Sequence, residues 1–335
     1  MRVLITGMNG FAGSALCDFL LEQTHWMLIG VGSSTSGERL SGRIQWWQLD
    51  LTDPDGIRRL IKFERPDLIF HLAAQANVPK SWENPWDTFE VNVRGTLNLF
   101  DAVVVNHCTP RIVVISSNEV YGSPRGGNDT PFGEDHQLQP NNPYGVSKVA
   151  QEKLAMQYRY SHALDVLVAR PFNHIGPGQK PDYVIAGFAR QIAEIEAGLR
   201  EPFLNVGNMQ TQRDFTDVRD TVRAYYMIAR YADGGKIYNV SSGNPRSIQS
   251  VLDLMLSMST AQIETRSDPT KFRISDTPIS YGDSSLLKKD TGWEPRVPFE
   301  KTVLDIMDSW RLRIMETLNH QASSTPKTKV GAVHE

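Results

Sequence analysis

Hydrophobic positions along the chain alternate between two textures. Short apolar runs at Val3–Thr6, Met27–Val31, Trp46–Leu49, Leu68–Leu72, Arg111–Ser116 and Val166–Ala169 read as buried strands. Between them, apolar residues recur at helical spacing. Ser14 to Leu21 places Leu16, Phe19 and Leu20 on one side, and longer helical patterns cover Thr88–Asn106 and Tyr144–His162. Strand and helix in alternation predict an α/β fold of βαβ units with a parallel sheet. From Pro171 the texture changes, with more Gly and Pro and isolated helices at Val184–Gly198 and Asp217–Tyr231. The pattern predicts a first domain over residues 1–170, with some later segments returning to it, and a smaller portion over 171–312. Residues 319–335, including Gln321-Ala322-Ser323-Ser324-Thr325-Pro326-Lys327, have the composition of a disordered tail.

Composition narrows the function classes. With 335 residues and 40% hydrophobic content, the chain can bury a sizeable core. A net charge of -3 and the lack of a long basic run favour neither nucleic acid nor an anionic membrane as partner. No apolar stretch has transmembrane length, and Arg2 leads straight into a strand where a signal peptide would need an apolar core, so a cytoplasmic location is expected. Cys17 and Cys108 both sit in apolar helical patterns and read as buried thiols in a reducing compartment. No His/Cys cluster has metal-ligand spacing, so no metal is expected.

Two local patterns carry chemistry. The first strand runs into Gly7-Met8-Asn9-Gly10-Phe11-Ala12-Gly13 and then a helix. Strand, glycine turn and helix in that order let backbone N–H groups approach a pyrophosphate at a helix N-terminus, the context of a dinucleotide site. The second is Tyr144 with Lys148, four apart and so on one helix face. An ammonium beside a phenol favours the phenolate, so the pair predicts a Tyr pKa below its usual value of about 10 and a residue able to exchange protons near neutral pH.

These motifs occur in order with His71-Leu72-Ala73-Ala74, Asn92-Val93-Arg94-Gly95-Thr96 and Ser116-Ser117-Asn118-Glu119-Val120-Tyr121-Gly122. Over roughly residues 1–310 the set resembles the extended short-chain dehydrogenase/reductases that act on nucleotide-sugars. Val168-Ala169-Arg170-Pro171-Phe172-Asn173-His174-Ile175-Gly176-Pro177-Gly178-Gln179 and Arg213-Asp214-Phe215-Thr216-Asp217-Val218 narrow the likeness to GDP-6-deoxy-4-keto-mannose reductases. The resemblance implies a doubly wound parallel sheet of the Rossmann kind with a smaller C-terminal nucleotide-sugar portion. It implies reduction of a 4-keto sugar to GDP-D-rhamnose, with Tyr144 as proton donor, Lys148 on the nicotinamide ribose and Ser117 at the keto oxygen.

The same resemblance implies that Gly7, Gly10, Phe11 and Gly13 surround the pyrophosphate, Asp50 and Leu51 meet the adenine, and Leu72, Ala73, Ala74 and Asn92 line the ribose and nicotinamide path. Asp50 is also read as a helix N-cap before Pro54. At the end of the second strand, Val31-Gly32-Ser33-Ser34-Thr35-Ser36 has no carboxylate to repel a 2′-phosphate, and Arg39 follows. The balance is slightly towards NADPH, with NADH open. Asn173, Arg213 and Arg273 are the expected contacts to the GDP-sugar substrate. Arg190 is a weaker candidate, read equally as a surface residue, and His174 reads as a structural hydrogen-bonding histidine.

Two other readings stand beside the reductase. Glu119 occupies the place where nucleotide-sugar dehydratases of this kind carry a proton-abstracting carboxylate, so a GDP-mannose 4,6-dehydratase or an epimerase is the alternative. The other is a non-catalytic cofactor-binding regulator, against which Ser117, Tyr144 and Lys148 are all present. The resemblance implies a homodimer through the helices at Thr88–Asn106 and Tyr144–His162; the apolar run Val103, Val104 and Val105 in the first fits such an interface and fits a buried internal helix equally well.

Overall fold

A computed structural model describes residues 1–34, 42–123, 130–268 and 277–324. Arg39 and Arg273 lie outside these residues, so neither of the expectations placed on them has a structural counterpart here.

The N-terminal part is built from β1 (Arg2–Thr6), α1 (Phe11–Gln23), β2 (Met27–Gly32), β3 (Ile44–Gln48), α2 (Pro54–Glu64) and β4 (Leu68–His71). There follow α3 (Val78–Glu83), α4 (Pro85–Phe89), a π-helical turn (Glu90–Arg94), α5 (Gly95–Val105), β5 (Arg111–Ile115), a 3₁₀ turn (Asn118–Val120), α6 (Pro143–His162) and β6 (Asp165–Pro171). The six predicted strands all form, within a residue or two of the expected limits. They lie in one seven-stranded parallel sheet of order β10-β6-β5-β4-β1-β2-β3, in which β10 is Ile237–Val240. Strand order reverses between β1 and β4, and in a doubly wound sheet that crevice, beyond the carboxyl ends of the strands, is where ligands bind.

The sheet is apolar on both faces because helices cover both. One core cluster contains Val3, Ile5, Leu16, Leu20, Phe70, Val113, Tyr225 and Trp293, and the opposite one Leu4, Ile29, Ile57, Leu60, Leu99, Phe100, Val114 and Val168. The residue-to-residue switch of face along β1, from Val3 to Leu4 to Ile5, is the two-residue strand period at work.

The remaining elements are β7 (Asn173–Ile175), α7 (Val184–Glu196), β8 (Phe203–Val206), β9 (Gln212–Asp217), α8 (Val218–Tyr231), β11 (Pro245–Ser247), α9 (Ile248–Ser257), β12 (Glu264–Ser267), β13 (Ile279–Ser280), α10 (Ser285–Thr291) and α11 (Phe299–Ser324). α8, β10 and α10 go back to the large sheet: Val218, Val222 and Ile228 of α8 and Leu287 of α10 belong to the first core cluster. The rest packs around a core of its own, with Ile175, Phe188, Ile192, Leu204, Phe215, Leu252, Met255 and Ile306. Here β9 is flanked by β7, β11 and β13.

Two expectations need correction. The helix expected over Thr88–Asn106 is interrupted: α4 gives way to the π turn, where Gly95 N–H reaches back to Glu90 O, before α5 begins. Single wide turns of this sort cluster at functional sites, and this one holds Asn92. Of the tail expected over residues 319–335, residues 319–324 continue the backbone of α11, and residues 325–335 lie outside the described residues.

Candidate active site

The glycine turn is set by close approach of backbone. Gly7 has φ +70°, and a Cβ there would lie 2.9 Å from the backbone of Ala73. A Cβ on Gly13 would stand 2.1 Å from Gly7 O. The turn therefore leans on the loop after β4 and delivers the N-terminus of α1 to the β1/β4 crevice. This cradle, filled by no side chain of its own, fits a dinucleotide pyrophosphate. Phe11 stacks on the His174 ring with centroids 5.9 Å apart, tying the turn to β7. Burial holds His174 below its usual pKa, and its Nδ1 lies 3.2 Å from Phe172 O, as the structural reading of that histidine requires.

Leu72, Ala73 and Ala74 line the crevice as half-buried residues. Asn92 stands behind them, fully buried. Its Oδ1 accepts from Gln75 N (2.7 Å), and its Nδ2 donates to Gln75 O (3.1 Å) and Ser147 Oγ (2.9 Å). With its polar atoms so engaged, Asn92 shapes the path and couples it to α6. Leu51 is buried in the second core cluster. Asp50 is exposed and its Oδ1 accepts from Thr52 N (2.8 Å) and Thr52 Oγ1 (2.9 Å). The N-cap of α2 is instead Asp53, which accepts from Asp55 N and Gly56 N at 3.1 Å each. The capping role expected for Asp50 thus falls to the residue directly before Pro54, as cap geometry demands. At the end of β2 the Asn9 amide donates to Ser34 Oγ (2.6 Å), so a serine hydroxyl faces the glycine turn.

Ser117, Tyr144 and Lys148 come together as the sequence predicted. Ser117 follows β5, and Asn142 caps α6 by accepting from Gly145 N (2.8 Å), which fixes the first turn that carries Tyr144. Tyr144 and Ser117 are each 7% exposed and Lys148 2%. The Lys148 ammonium lies 5.9 Å from the Tyr144 ring centroid and donates to Ile115 O and Gln151 Oε1, both at 2.8 Å.

The electrostatics correct the expectation for Tyr144. Its pKa is raised, because burial of the phenol outweighs the lowering effect of a hydrogen bond with Ser117, and the nearby Glu119 carboxylate and Tyr183 add to the rise. Lys148 is pulled down to about 7 by burial, opposed by the Glu152 carboxylate. Helical spacing foresaw a cation beside a phenol but not that both would be desolvated together. Glu152 is paired bidentately with Arg170, Nε to Oε1 at 2.9 Å and Nη2 to Oε2 at 2.8 Å, and it also accepts from Ser116. Glu119 accepts from Asn142 Nδ2 (2.7 Å), so its carboxylate is bound to the cap of α6.

On the other side of the crevice, β7 and β9 place Asn173 and Arg213 on adjacent strands, with Asn173 opposite Phe215. Arg213 Nη1 donates to Gln212 O (2.8 Å) and Thr277 O (2.7 Å). Asn118, next to Ser117, donates to Ser280 Oγ (3.3 Å) on β13, itself paired with Arg213 in β9, so this small sheet abuts the loop that carries Ser117. Asn173 Oδ1 and Gln179 Oε1 are buried without a hydrogen-bond partner among the described residues. Arg190 is not part of this group: it lies on the exposed face of α7 and pairs with Glu194 at 2.6 Å, which supports its surface reading. Sequence reasoning passed over Gln151, Glu152 and Gln179. The i+3 step from Lys148 to Gln151 was the available signal for the first; Gln179 had none beyond its motif.

The chain matches the profile of the family described as GDP-mannose 4,6 dehydratase over residues 4–306. It is 35% identical to GDP-6-deoxy-D-mannose reductase of Pseudomonas aeruginosa, over 94% of this chain and 99% of that one. With GDP-mannose 4,6-dehydratase of Yersinia enterocolitica it shares 28% identity over 91% of this chain and 92% of the relative. Among solved structures, that of RMD from Pseudomonas aeruginosa complexed with NADPH superposes with a TM-score of 0.83 at 35% identity, covering 93% of this chain and 99% of that one. The order of motifs, the doubly wound sheet and these near end-to-end matches agree: the chain belongs to the GDP-mannose 4,6 dehydratase family of nucleotide-sugar enzymes.

Proposed function

We propose that the protein is a nicotinamide-dependent nucleotide-sugar 4-ketoreductase that converts GDP-4-keto-6-deoxy-D-mannose to GDP-D-rhamnose. The observation that carries this reading is the likeness to GDP-6-deoxy-D-mannose reductase along nearly the full length of both chains. The buried Ser117, Tyr144 and Lys148 cluster supplies the chemistry. When bound, NAD(P)H supplies a hydride to the sugar carbonyl carbon. Tyr144 gives its phenolic proton to the C4 oxygen, and its raised pKa keeps that proton in place until it is needed. Ser117 hydrogen-bonds the same oxygen as charge develops, and the Lys148 ammonium offsets the charge left on Tyr144. Gly7, Gly10, Phe11 and Gly13 hold the pyrophosphate, and Ala73 and Ala74 line the path to the crevice. Arg213 and Asn173 bind the GDP-sugar.

The exposed hydroxyls of Ser33 and Ser34, close to Asn9 of the glycine turn, favour NADPH over NADH. The enzyme works in the cytoplasm as a homodimer through α5 and α6, where Leu97, Val105, Val146 and Tyr160 are exposed. Val103 is buried and Val104 packs against the inner core, so of the valine run only Val105 faces outward. A monomeric mass in solution removes the dimer.

Incubation of the protein with GDP-4-keto-6-deoxy-mannose and NADPH, followed by nicotinamide absorbance and by chromatography of the sugar nucleotide, tests the activity. Loss of absorbance with formation of GDP-rhamnose is expected. Flat absorbance, together with conversion of GDP-mannose to the keto sugar by the protein alone, overturns the reading in favour of a dehydratase. The same titration with NADH in place of NADPH ranks the cofactors.

A further inference from the structure

A buried hydrogen-bond chain runs from Lys148 across the sheet to the glycine turn, and its donors and acceptors can be assigned throughout. Thr96 Oγ1 gives its one hydrogen to Asn92 O (2.6 Å). Its lone pairs then accept from Gln151 Nε2 (2.7 Å) and from His71 Nε2 (2.8 Å). With the Thr96 hydroxyl hydrogen placed on Asn92 O, His71 is assigned the Nε2–H tautomer, and Nδ1 then accepts from Thr6 Oγ1 (2.8 Å), which in turn accepts from Ala73 N (3.1 Å). Burial, reinforced by the charge of Lys148, pushes the His71 pKa down to about 3, so the ring stays neutral with one donor and one acceptor nitrogen. With Gln151 Nε2 committed to Thr96, the amide cannot flip, and Oε1 is left facing Lys148 at 2.8 Å.

We propose that Gln151, locked by Thr96 and His71, is the positioning residue that aims the Lys148 ammonium and sustains its charge in the buried site. An ammonium has three N–H groups, and Ile115 O and Gln151 Oε1 take two of them in fixed directions. The other groups around Lys148 are Glu152 on α6, already bound to Arg170 of β6, Tyr144 on α6 and neutral His71 on β4. Glu119 of the 3₁₀ turn acts on Tyr144. Among them Gln151 is the side chain that touches Nζ directly without carrying charge.

The test follows Lys148 itself. In the full-length protein labelled with ¹⁵N-lysine, the Nζ resonance, assigned with Lys148→Met, is followed against pH for wild type, Gln151→Met and Gln151→Glu. Gln151→Met removes a buried acceptor of a charged donor and lowers the midpoint by about one to two pH units. Gln151→Glu raises it. If the reductase reading holds, the alkaline limb of kcat moves the same way in each variant, because the ammonium is the working form. Should Gln151→Met fail to fold, Thr96→Val, which releases the Gln151 amide together with the bonds to His71 and Asn92 O but leaves the Gln151 side chain in place, lowers the midpoint by less. A Lys148 midpoint unmoved in the folded variants overturns the proposal. The catalytic consequence rests on the reductase reading, but the titration does not: shifted midpoints in a protein that leaves the keto sugar untouched would sink that reading and leave the positioning role standing.

Discussion

The two walls that meet at Tyr144 are built on opposite principles. On the Lys148 side the buried polar atoms of Thr6, His71, Asn92, Thr96 and Gln151 are tied to one another and to backbone. On the β7/β9 side Asn173 Oδ1, Gln179 Oε1 and Thr216 Oγ1 are buried with no partner among the described residues. A buried polar group left unsatisfied costs about 1–3 kcal/mol, so a fold that ties these side chains together on one wall and leaves several acceptors open on the other separates two jobs. The first wall holds a charge and a proton still. On the proposed function, the second keeps hydrogen-bonding capacity in reserve for a sugar-nucleotide with many hydroxyls.

The largest effect should come from the shared edge. Tyr144→Phe deletes the proton donor and little volume, so kcat should fall by roughly 10²–10⁴-fold while nicotinamide binding, read by protein fluorescence, stays within a few-fold. Equal loss of both would mean the closed wall had collapsed, and the comparison would say nothing about chemistry.

Lys148 provides a test of the closed wall that needs no substrate. Its pKa is about 7 folded against 10.5 for the free side chain. Between those values the unfolded chain binds the extra proton, so the Lys148 contribution makes stability rise with pH across that window. Lys148→Met should flatten this slope in denaturant titrations between about pH 7 and pH 10. An unchanged slope would show that the ammonium is not desolvated as the structure has it.

Much of this was legible in the sequence, for identifiable reasons. Both-face burial made β1, β4 and β5 read as unbroken apolar runs, and the glycine turn followed from backbone crowding that permits no Cβ. Tyr144 and Lys148 were visible because helical spacing is local. What escaped was whatever depended on distant partners. The direction of the Tyr144 shift required knowing that α6 buries its first turns against the 3₁₀ turn after β5. Gln151 acquires its role from Thr96, far away in sequence on α5, and β10 is a short run whose place at the sheet edge is decided by pairing with β6. The π turn at Asn92 was hidden because hydrophobic periodicity locates a helix but does not mark which of its turns is widened.

On the open wall, Arg213→Met should raise KM for the GDP-sugar by about tenfold to a hundredfold, the range for hydrogen bonds to a charged group, with kcat changed less. Gln179→Leu separates binding from folding on the same wall. It removes an acceptor with no partner among the described residues together with the Nε2 donor that bonds His174 O at 3.0 Å, so the two effects on stability oppose each other and should leave it within about 1 kcal/mol while KM rises. A destabilised Gln179→Leu protein with unchanged KM would remove Gln179 from the sugar site and weaken the contrast between the walls.

The smallest effect should come from Glu119, and it is the one that decides between the two chemistries open to this family. Asn142 Nδ2 donates to Glu119 Oε2 at 2.7 Å while Asn142 Oδ1 caps α6. A glutamine there still offers a carbonyl oxygen to Asn142, so Glu119→Gln should keep the helix start and the placement of Tyr144. It also removes a negative charge that adds to the raised Tyr144 pKa. For a reductase, a slightly more acidic phenol remains protonated at neutral pH and still gives up its proton, so kcat should stay within about tenfold of wild type. A dehydratase would need the Glu119 carboxylate to take a proton from the sugar ring, and the amide cannot do so. If Glu119→Gln abolished turnover of the keto sugar while nicotinamide binding and thermal stability were retained, Glu119 would belong to the reacting groups and would cease to be a brace for the catalytic helix.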